Sequence, residues 1–143
     1  MPEPFAHRIT VEDPDIDELM HASNVAFVRW VQDVAYAHSK HVGYGFEEYR
    51  RVGGVFVVRR TEIDYLRPAL RGDVLELRTW LSSWMAAKYQ RETDITRVAD
   101  GVVLAKASVT WGFLDMSSGR PRRVPDEIRI AFGLPPVKAA RSD

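Results

Sequence analysis

The spacing of apolar residues along this chain changes its period once, between residues 43 and 55. Before that point, apolar residues recur at helical spacing: Phe27, Val31, Val34 and Ala35. This spacing predicts an amphipathic helix of about 16 to 18 residues. Ser23 or Asn24 can cap its first turn, and Gly43 can end it. A second, short helix is predicted over residues 46–52.

Beyond residue 55, apolar and polar residues alternate, which is typical of strands. Long strands are predicted over residues 55–66, 73–82, 88–98 and 102–115. The dipeptide Asp100-Gly101 predicts a hairpin between the last two, because glycine tolerates the positive φ of a tight turn. In the first strand, the alternation places these residues on one face: Val57, Arg59, Thr61, Ile63 and Tyr65.

The two ends of the chain add shorter elements. The pattern predicts a strand over residues 5–11, an irregular segment over 12–23 in which Pro14 interrupts any helix, a short helix over 125–132, and a flexible tail from 134. Residues 1–143 are therefore predicted to form a single α+β domain, with one long helix on a curved antiparallel sheet of about five strands. One helix cannot cover both faces of such strands, so a second subunit is expected at the other face or at an edge.

Composition excludes several kinds of functional site. Lys plus Arg and Asp plus Glu number 20 each, and this balance argues against a dedicated nucleic-acid binder. There are no cysteines, so disulfides, thiolate metal sites and cysteine nucleophiles are excluded. Of the four histidines, only His38 and His41 have a spacing that suggests a metal pair, and we expect no metal site. The sequence contains neither a long apolar run nor a secretory signal, which favours a cytoplasmic location.

Two short motifs resemble those of a known family. Residues 15–24 read Asp-Ile-Asp-Glu-Leu-Met-His-Ala-Ser-Asn, which is similar to the D-x-D-x-x-G-H-x-N-N signature of hot-dog-fold thioesterases. Residues 63–73 contain Ile-Asp-Tyr-Leu-Arg-Pro-Ala followed by Gly-Asp, which resembles the I-x-Y-x-R-P-A…G-D strand and turn of that family. A weaker match is Trp-Gly-Phe-Leu-Asp at residues 111–115. The resemblance spans about residues 5–131 and is nearest to the 4-hydroxybenzoyl-CoA thioesterase-like group and to acyl-CoA and acyl-carrier-protein thioesterases.

The resemblance implies a hot-dog fold, hydrolysis of an acyl thioester, and a set of site residues. The implied catalytic residues are Asp17, His21 and Asn24, and the implied substrate-binding residues are Met20, Ser23, Tyr65 and Arg67. Asp17 stands at the position of the family's catalytic aspartate, whose carboxylate attacks the carbonyl or activates a water. This chain departs from the signature at Met20, where the family has glycine, and at Ser23, where it has asparagine. Both departures fall at the turn that would hold the oxyanion.

Each of these residues also has a plainer explanation. Asp17 precedes the start of a helix, where free N–H groups and the helix dipole favour any acid, although the same groups could polarise a thioester carbonyl. Capping alone accounts for Asn24, and His21 could simply pack. Asp15 is a second candidate carboxylate, and Asp13 is most easily explained as a turn residue.

Basic residues are candidates for holding the phosphates of coenzyme A, because Arg binds phosphate in a forked geometry. Arg67 is the first of them, although it could instead pair with an acid such as Asp73. Further candidates, any of which could be ordinary surface charge, are Lys88, Arg91, Arg120, Arg122 and Arg123.

The resemblance implies an acyl-CoA or acyl-carrier-protein thioester as substrate, no cofactor, no nucleic-acid or membrane partner, and assembly as a homodimer or homotetramer. Glu62 or Asp64 could face such an interface, although a solvated sheet face is the favoured explanation. The alternative function is a non-catalytic hot-dog protein that binds acyl-CoA, and a purely structural dimer module stays open. An enoyl-CoA hydratase of this fold would present Asn-Pro-Ile-His, which the chain lacks.

Overall fold

The computed structural model describes residues 3–135 as a five-stranded antiparallel sheet with a long helix packed against it. The strands are β1 (Phe5–Thr10), β2 (Gly54–Tyr65), β3 (Val74–Trp84), β4 (Lys88–Arg97) and β5 (Val103–Asp115). The helices are α1 (Asn24–His41), α2 (Phe46–Val52) and α3 (Asp126–Ala131). The strand order is β1-β3-β4-β5-β2, so β1 and β2 form the two edges. The α+β architecture expected from the sequence is confirmed.

Helix α1 forms because its first turn is capped and one of its faces is apolar. The Ser23 hydroxyl accepts a hydrogen bond from the Ala26 N–H at 3.1 Å. The apolar face is buried and packs towards β1 and β3: Ala26, Phe27, Trp30, Val31, Val34 and Ala35. The helix ends at His41, and Gly43 follows at a φ of +100°, a left-handed conformation that glycine adopts without steric cost. The predicted helix is therefore confirmed, including its end.

Helix α2 coincides with the predicted short helix and leads directly into β2. Gly53 ends it in the left-handed region, at a φ of +81°. The next residue, Gly54, lies so close to Phe113 of β5 that a Cβ there would be 2.5 Å from the ring. Any side chain at residue 54 would therefore push β2 away from its neighbour, and glycine allows the strand to start here.

The strands separate an apolar face of the sheet from a polar one. The inward positions of β3 are all buried, as the alternation predicts: Leu75, Leu77, Thr79 and Leu81. On the opposite face, the Gln90 amide donates to Ser108 at 2.7 Å, and the Thr110 hydroxyl donates to Gln90 at 2.8 Å. A face of mutually bonded polar side chains is compatible with water. The second subunit expected at this face or at an edge stays a prediction; within residues 3–135, β1 and β2 are the two edge strands.

Strand β2 departs from strict alternation. Val58 pairs with Trp111 and Arg60 with Thr110, so Arg59 is an extra residue in the ladder with β5. Such a bulge bends a strand and turns the residues after it. The predicted single face from Val57 to Tyr65 is therefore interrupted at Arg59, which packs its side chain over Gly112.

Two further details differ from the sequence prediction. The segment predicted as irregular contains one turn of 3-10 helix, Asp13–Asp15. Pro14 is compatible with it because the first turn of a helix does not use that N–H. Leu134, where the flexible tail was expected to begin, is buried, and its N–H donates to the Arg129 carbonyl at 2.8 Å. The rest of the predicted tail, from residue 136, lies outside the described residues.

Candidate active site

Asp15 anchors the loop that precedes α1. Its carboxylate is buried and forms an ion pair with Arg29 of α1, while Oδ2 accepts a hydrogen bond from the Glu12 N–H at 2.9 Å. Its backbone carbonyl accepts a bond from the Ser23 N–H at 2.8 Å. Both carboxylate oxygens of Asp15 are engaged, so this residue, which the sequence offered as the second candidate carboxylate, positions the loop on the helix.

The residues between Asp15 and α1 form a tight turn. Ile16 and Ala22 pair as an isolated antiparallel bridge. Within the turn, the Asp17 N–H donates to the His21 carbonyl and the Met20 N–H donates to the Asp17 carbonyl, both at 3.0 Å. Met20 has a φ of +64°, which is the left-handed region that favours glycine. The turn is therefore formed although methionine stands at the family's glycine position, and the substitution appears in the structure as backbone strain.

Asp17 carries a free carboxylate on this turn. Its Oδ1 accepts a hydrogen bond from the Leu19 N–H at 2.9 Å. Its Oδ2 has no hydrogen-bond partner within residues 3–135. The His21 side chain is also exposed, and its imidazole makes no hydrogen bond in the same part of the chain. Both groups are therefore available to a ligand.

The first turn of α1 presents free backbone donors beside this carboxylate. Of the two capping residues expected from the sequence, Ser23 is confirmed and Asn24 is wrong. Asn24 is instead the first helical residue. The N–H groups of Asn24 and Val25 bond to no group among the described residues. Such groups carry the positive end of the helix dipole and can receive an oxyanion.

The end of β2 completes the surroundings of the helix start. The Tyr65 ring lies edge-on to Phe27 at 5.5 Å between centroids, and its hydroxyl donates a long bond of 3.4 Å to the Asn24 carbonyl. Arg67 is exposed and donates to the Leu66 carbonyl at 2.9 Å. It forms no ion pair with Asp73, whose carboxylate lies 3.6 Å from Arg97 instead. Its guanidinium is therefore left for another anion.

These elements enclose a cleft of about 220 Å³, which we call the N-terminal cleft. Its lining residues come from the turn, the start of α1 and the end of β2: Asp17, Leu19, His21, Ala22, Asn24, Phe27, Tyr65, Leu66, Arg67 and Pro68. Five of the seven site residues expected from the sequence are among them. The other two are not: Ser23 is used as the helix cap, and Met20 borders a separate depression with Asp13 and Arg71.

A second cavity, of about 330 Å³, lies at the other end of α1, and we call it the aromatic cavity. Seven aromatic residues from five elements and one loop line it: Tyr36, Tyr44, Phe46, Tyr49, Phe56, Tyr89 and Trp111. Sequence reasoning missed this cavity. The aromatic cluster around residues 44–49 is its only local signal, and the rest of its wall is assembled from distant strands.

Arg91 lies next to this cavity, buried in the core. It is 1% exposed, so its expected role as a surface ligand for phosphate is wrong. Its Nη1 donates to His38 Nδ1 at 2.9 Å and to Thr79 Oγ1 at 3.1 Å, whereas Nε and Nη2 have no hydrogen-bond partner among residues 3–135. Burial, and then the charge of Arg91, lower the pKa of His38 to about 4. His38 is therefore neutral near pH 7 and accepts from Arg91 through Nδ1.

Within residues 3–135, no three histidine or acidic side chains are grouped as metal ligands. No helix of this part of the chain is long and apolar enough to cross a membrane.

Sequence comparisons place these features in a family. The sequence model of the thioesterase-like superfamily matches residues 11–132. The chain is 27% identical over 108 residues to the chloroplastic oleoyl-acyl carrier protein thioesterase 2 of Arabidopsis thaliana, covering 71% of this chain and 29% of that protein. It is 26% identical over 132 residues to the chloroplastic palmitoyl-acyl carrier protein thioesterase of Cuphea hookeriana, covering 87% and 32%. The chain thus spans about a third of the length of these curated relatives.

Solved structures give the same fold. A 1,4-dihydroxy-2-naphthoyl-CoA thioesterase from Synechocystis superposes with a TM-score of 0.84 at 16% identity, over 92% of this chain and 96% of that one. A Staphylococcus aureus protein in complex with CoA superposes with a TM-score of 0.87 at 16% identity, over 93% and 84%. The hot-dog fold expected from the motifs is thereby confirmed, and because the superfamily model covers most of the chain, this protein belongs to the thioesterase-like superfamily.

Proposed function

We propose that this protein hydrolyses an acyl thioester of coenzyme A or of acyl-carrier protein, and that the reaction takes place in the N-terminal cleft. One observation carries the proposal. The cleft is lined by a carboxylate with one unbonded oxygen, an imidazole and the first residue of α1, whose backbone N–H is unbonded among the described residues: Asp17, His21 and Asn24. Thioester hydrolysis needs a nucleophile or base and donors for the oxyanion.

Asp17 supplies the carboxylate in this proposal. Because Oδ1 is held by the Leu19 N–H, Oδ2 is oriented and free to act. It either attacks the carbonyl carbon or removes a proton from the attacking water. In both routes the C–S bond breaks, the thiol leaves, and a water oxygen ends in the carboxylic acid. The N–H group of Asn24, at the positive end of the helix dipole, stabilises the negative charge on the carbonyl oxygen.

The remaining residues of the cleft bind the substrate. Arg67, with no carboxylate partner among the described residues, is available for a phosphate of the pantetheine or nucleotide part. Tyr65 and Phe27 form the apolar wall. The relatives include thioesterases named for carrier-protein and for CoA substrates, and both classes share the phosphopantetheine arm. The proposed reaction uses no cofactor. A cytoplasmic location stays a prediction from the sequence.

The test is release of free thiol from a panel of acyl-CoA and acyl-carrier-protein substrates. We expect turnover by the wild type and a loss of at least about 100-fold in kcat for Asp17→Asn, because the amide neither attacks nor takes a proton. Glu18→Gln is the matched control, since Glu18 is an exposed acid on the same turn that does not line the cleft. Its activity should be unchanged. Turnover that survives Asp17→Asn contradicts the role of Asp17.

The non-catalytic alternative predicts a different outcome. A protein that only binds acyl-CoA would release no thiol from any substrate of the panel and would still bind acyl-CoA in calorimetry. Arg67→Ala separates the two further: in the enzyme it should raise KM more than it lowers kcat, because Arg67 contacts the part of the substrate remote from the reacting carbonyl.

We also propose that the protein forms a homodimer through the outer edge of β2. This strand is 12 residues long and has a neighbour on one side only, whereas the other edge strand, β1, has six residues. A long unpaired edge is a template for pairing with another chain. Strand β2 ends at Tyr65 in the N-terminal cleft, so such pairing would bring a second copy close to the proposed reaction.

A further inference from the structure

Four large apolar side chains are exposed around the N-terminal cleft, and we call them the apolar rim: Leu19, Met20, Leu66 and Leu70. Leu19 and Met20, on the turn, are 74% and 67% exposed, and Leu66 and Leu70, on the segment after β2, are 44% and 45% exposed. Leu19 and Leu66 line the cleft. Met20 and Leu70 line the depression beside it. The rim is therefore an apolar surface at the mouth of the cleft, made from two segments of the chain.

Two backbone hydrogen bonds hold the rim in place. The Ala22 N–H, at the end of the turn, donates to the Ala69 carbonyl at 2.8 Å and ties the turn to the segment after β2. The Leu70 N–H donates to Asp73 Oδ2 at 2.9 Å. Because the backbone that carries the rim is fixed, a partner that binds there does not have to order it first.

Met20 is the residue of the rim whose presence the fold does not explain. Its φ of +64° is strained for any residue with a Cβ, and its exposed side chain recovers little of this cost by packing. A flexible apolar side chain at such a position stabilises the protein only when another surface covers it, and methionine is enriched in protein interfaces. A contiguous exposed apolar surface is itself typical of an interaction site. Both observations therefore indicate a partner at the rim.

The charges at the mouth of the cleft favour a partner that brings few phosphates. Arg71 is paired with Asp13 at 2.9 Å. Among the described residues that line the cleft, Arg67 is the one arginine or lysine, and two exposed acids lie on the turn beside it, Asp17 and Glu18. Coenzyme A has a pyrophosphate and a phosphate monoester, and thus several negative charges, whereas a carrier protein holds the same pantetheine arm through a single phosphodiester. One free cation next to two acids matches the phosphodiester better.

We propose that the apolar rim docks the carrier protein that bears the thioester, so that the protein acts on acyl-carrier protein in preference to acyl-CoA. This inference rests on the proposed hydrolysis in the N-terminal cleft. The pantetheine arm enters the cleft, Arg67 binds its phosphodiester, and apolar side chains of the carrier around the attachment point cover the rim. Coenzyme A has no protein surface that could cover the rim, so it gains only the contacts inside the cleft.

The first measurement is binding, without a thioester. Calorimetry compares coenzyme A with a recombinant bacterial acyl-carrier protein in its holo form, which carries a free pantetheine thiol. We expect the wild type to bind the holo-carrier at least roughly tenfold more tightly than coenzyme A. Leu70→Ser should weaken binding of the holo-carrier roughly tenfold, because an apolar contact is lost, and should leave the affinity for coenzyme A unchanged, because Leu70 does not line the cleft.

Ile130→Ser is the matched control. Ile130 is also a large exposed apolar residue, but it lies on α3, next to the Phe132 ring that packs on His38 near the end of α1. It should change neither affinity. Leu70→Ser should fold, because the side chain is almost half exposed and the backbone keeps its bond to Asp73. Thermal unfolding checks this, and Leu70→Gln is a second variant with the same expected loss.

Turnover is the second measurement. With the same acyl group on both substrates, Leu70→Ser should raise KM for acyl-carrier protein roughly tenfold and leave kcat and the hydrolysis of acyl-CoA unchanged. If neither substrate releases thiol, the proposed hydrolysis is contradicted, and binding of the holo-carrier still decides whether the rim docks it.

Three results would overturn the proposal. The first is equal affinity of the wild type for holo-carrier and coenzyme A. The second is a Leu70→Ser variant that binds the holo-carrier as the wild type does, or no more weakly than Ile130→Ser. The third is a Leu70→Ser variant that loses self-association in light scattering while its affinity for the holo-carrier is unchanged, which would assign the rim to a second copy of this chain.

Discussion

Met20 keeps the turn before α1 in a conformation that costs a non-glycine residue free energy. At a φ of +64° its Cβ crowds the following carbonyl, and its side chain is exposed, so packing offsets little of this strain. The motif of the family has glycine here, and the structure gives the reason in the backbone. The Asp17 N–H donates to the His21 carbonyl, and the Asp17 carbonyl accepts from the Met20 N–H. The strain at Met20 therefore lies directly beside the proposed catalytic carboxylate.

We expect Met20→Gly to raise the free energy of unfolding by about 0.5 to 1 kcal/mol, because relief of the left-handed strain exceeds the entropy that glycine adds to the unfolded chain. Urea denaturation measures the change. Leu19→Gly is the control: Leu19 is equally exposed but does not have a positive φ, so it should gain nothing. A destabilised Met20→Gly would contradict the assignment of strain.

His38 should make stability depend on pH. Burial and the neighbouring charges of Arg91 and His41 lower its pKa to about 4 in the folded protein, from an ordinary value of 6.5. Between these two values the unfolded chain binds more protons than the folded one, so stability rises with pH across this range and falls on acidification. Its ring also packs between Phe5 and Phe132, at 5.2 and 5.1 Å, which leaves little room for water around a charged form.

Between pH 7 and pH 4.5 the wild type should lose roughly 2–3 kcal/mol through this residue. His38→Asn keeps an acceptor for Arg91 but does not titrate, so it should lack this part of the loss. Urea denaturation of both proteins at the two pH values gives the loss of unfolding free energy in each. The contributions of the carboxylates, which both proteins share, cancel in the difference between the two losses. Parallel losses in the two proteins would mean that His38 is not the titrating group.

Periodicity predicted the elements well because it depends on which side of each one is buried. The long helix was placed by its apolar face, and β3 by its alternation, and both agree with the structure to within two residues at most ends. The features that the sequence did not predict depend on single contacts. Whether Ser23 or Asn24 caps α1 depends on one hydrogen bond, and the bulge at Arg59 depends on the room above Gly112.

The two cavities differ in how far the sequence could predict them. The N-terminal cleft is built from two short stretches, each of which carries a motif, so the sequence predicts five of its residues. The aromatic cavity takes its wall from α1, α2, β2, β4 and β5. Arg91 illustrates the difference: its type indicates a surface cation, and only the packing of β4 against α1 places it in the core beside His38.

The proposed homodimer uses the edge of β2, because the outer face of the sheet is polar and the β1 edge is short. The charges of β2 favour one register of antiparallel pairing. If two copies met at the centre of the strand, Arg59 would oppose Arg60, which like charges disfavour. A two-fold axis at Thr61 instead places Arg60 of each copy opposite Glu62 of the other. Within one chain, Arg60 Nη2 and Glu62 Oε2 lie 3.5 Å apart. Both side chains are exposed, so they are free to reorient.

Glu62→Arg should therefore raise the dissociation constant of the dimer roughly tenfold, because the two-fold axis repeats the like-charge contact. The double exchange Arg60→Glu with Glu62→Arg should restore it, since both pairs are re-formed with reversed sign. Asp94→Arg is the matched control. Asp94 lies on β4, which β5 separates from β2, and it forms an ion pair of 3.8 Å with Lys106, so its replacement should leave the dimer intact. Light scattering over a range of concentrations measures all four proteins. A wild type that is monomeric at tens of micromolar, or a dimer that Glu62→Arg does not weaken, would exclude this edge as the interface.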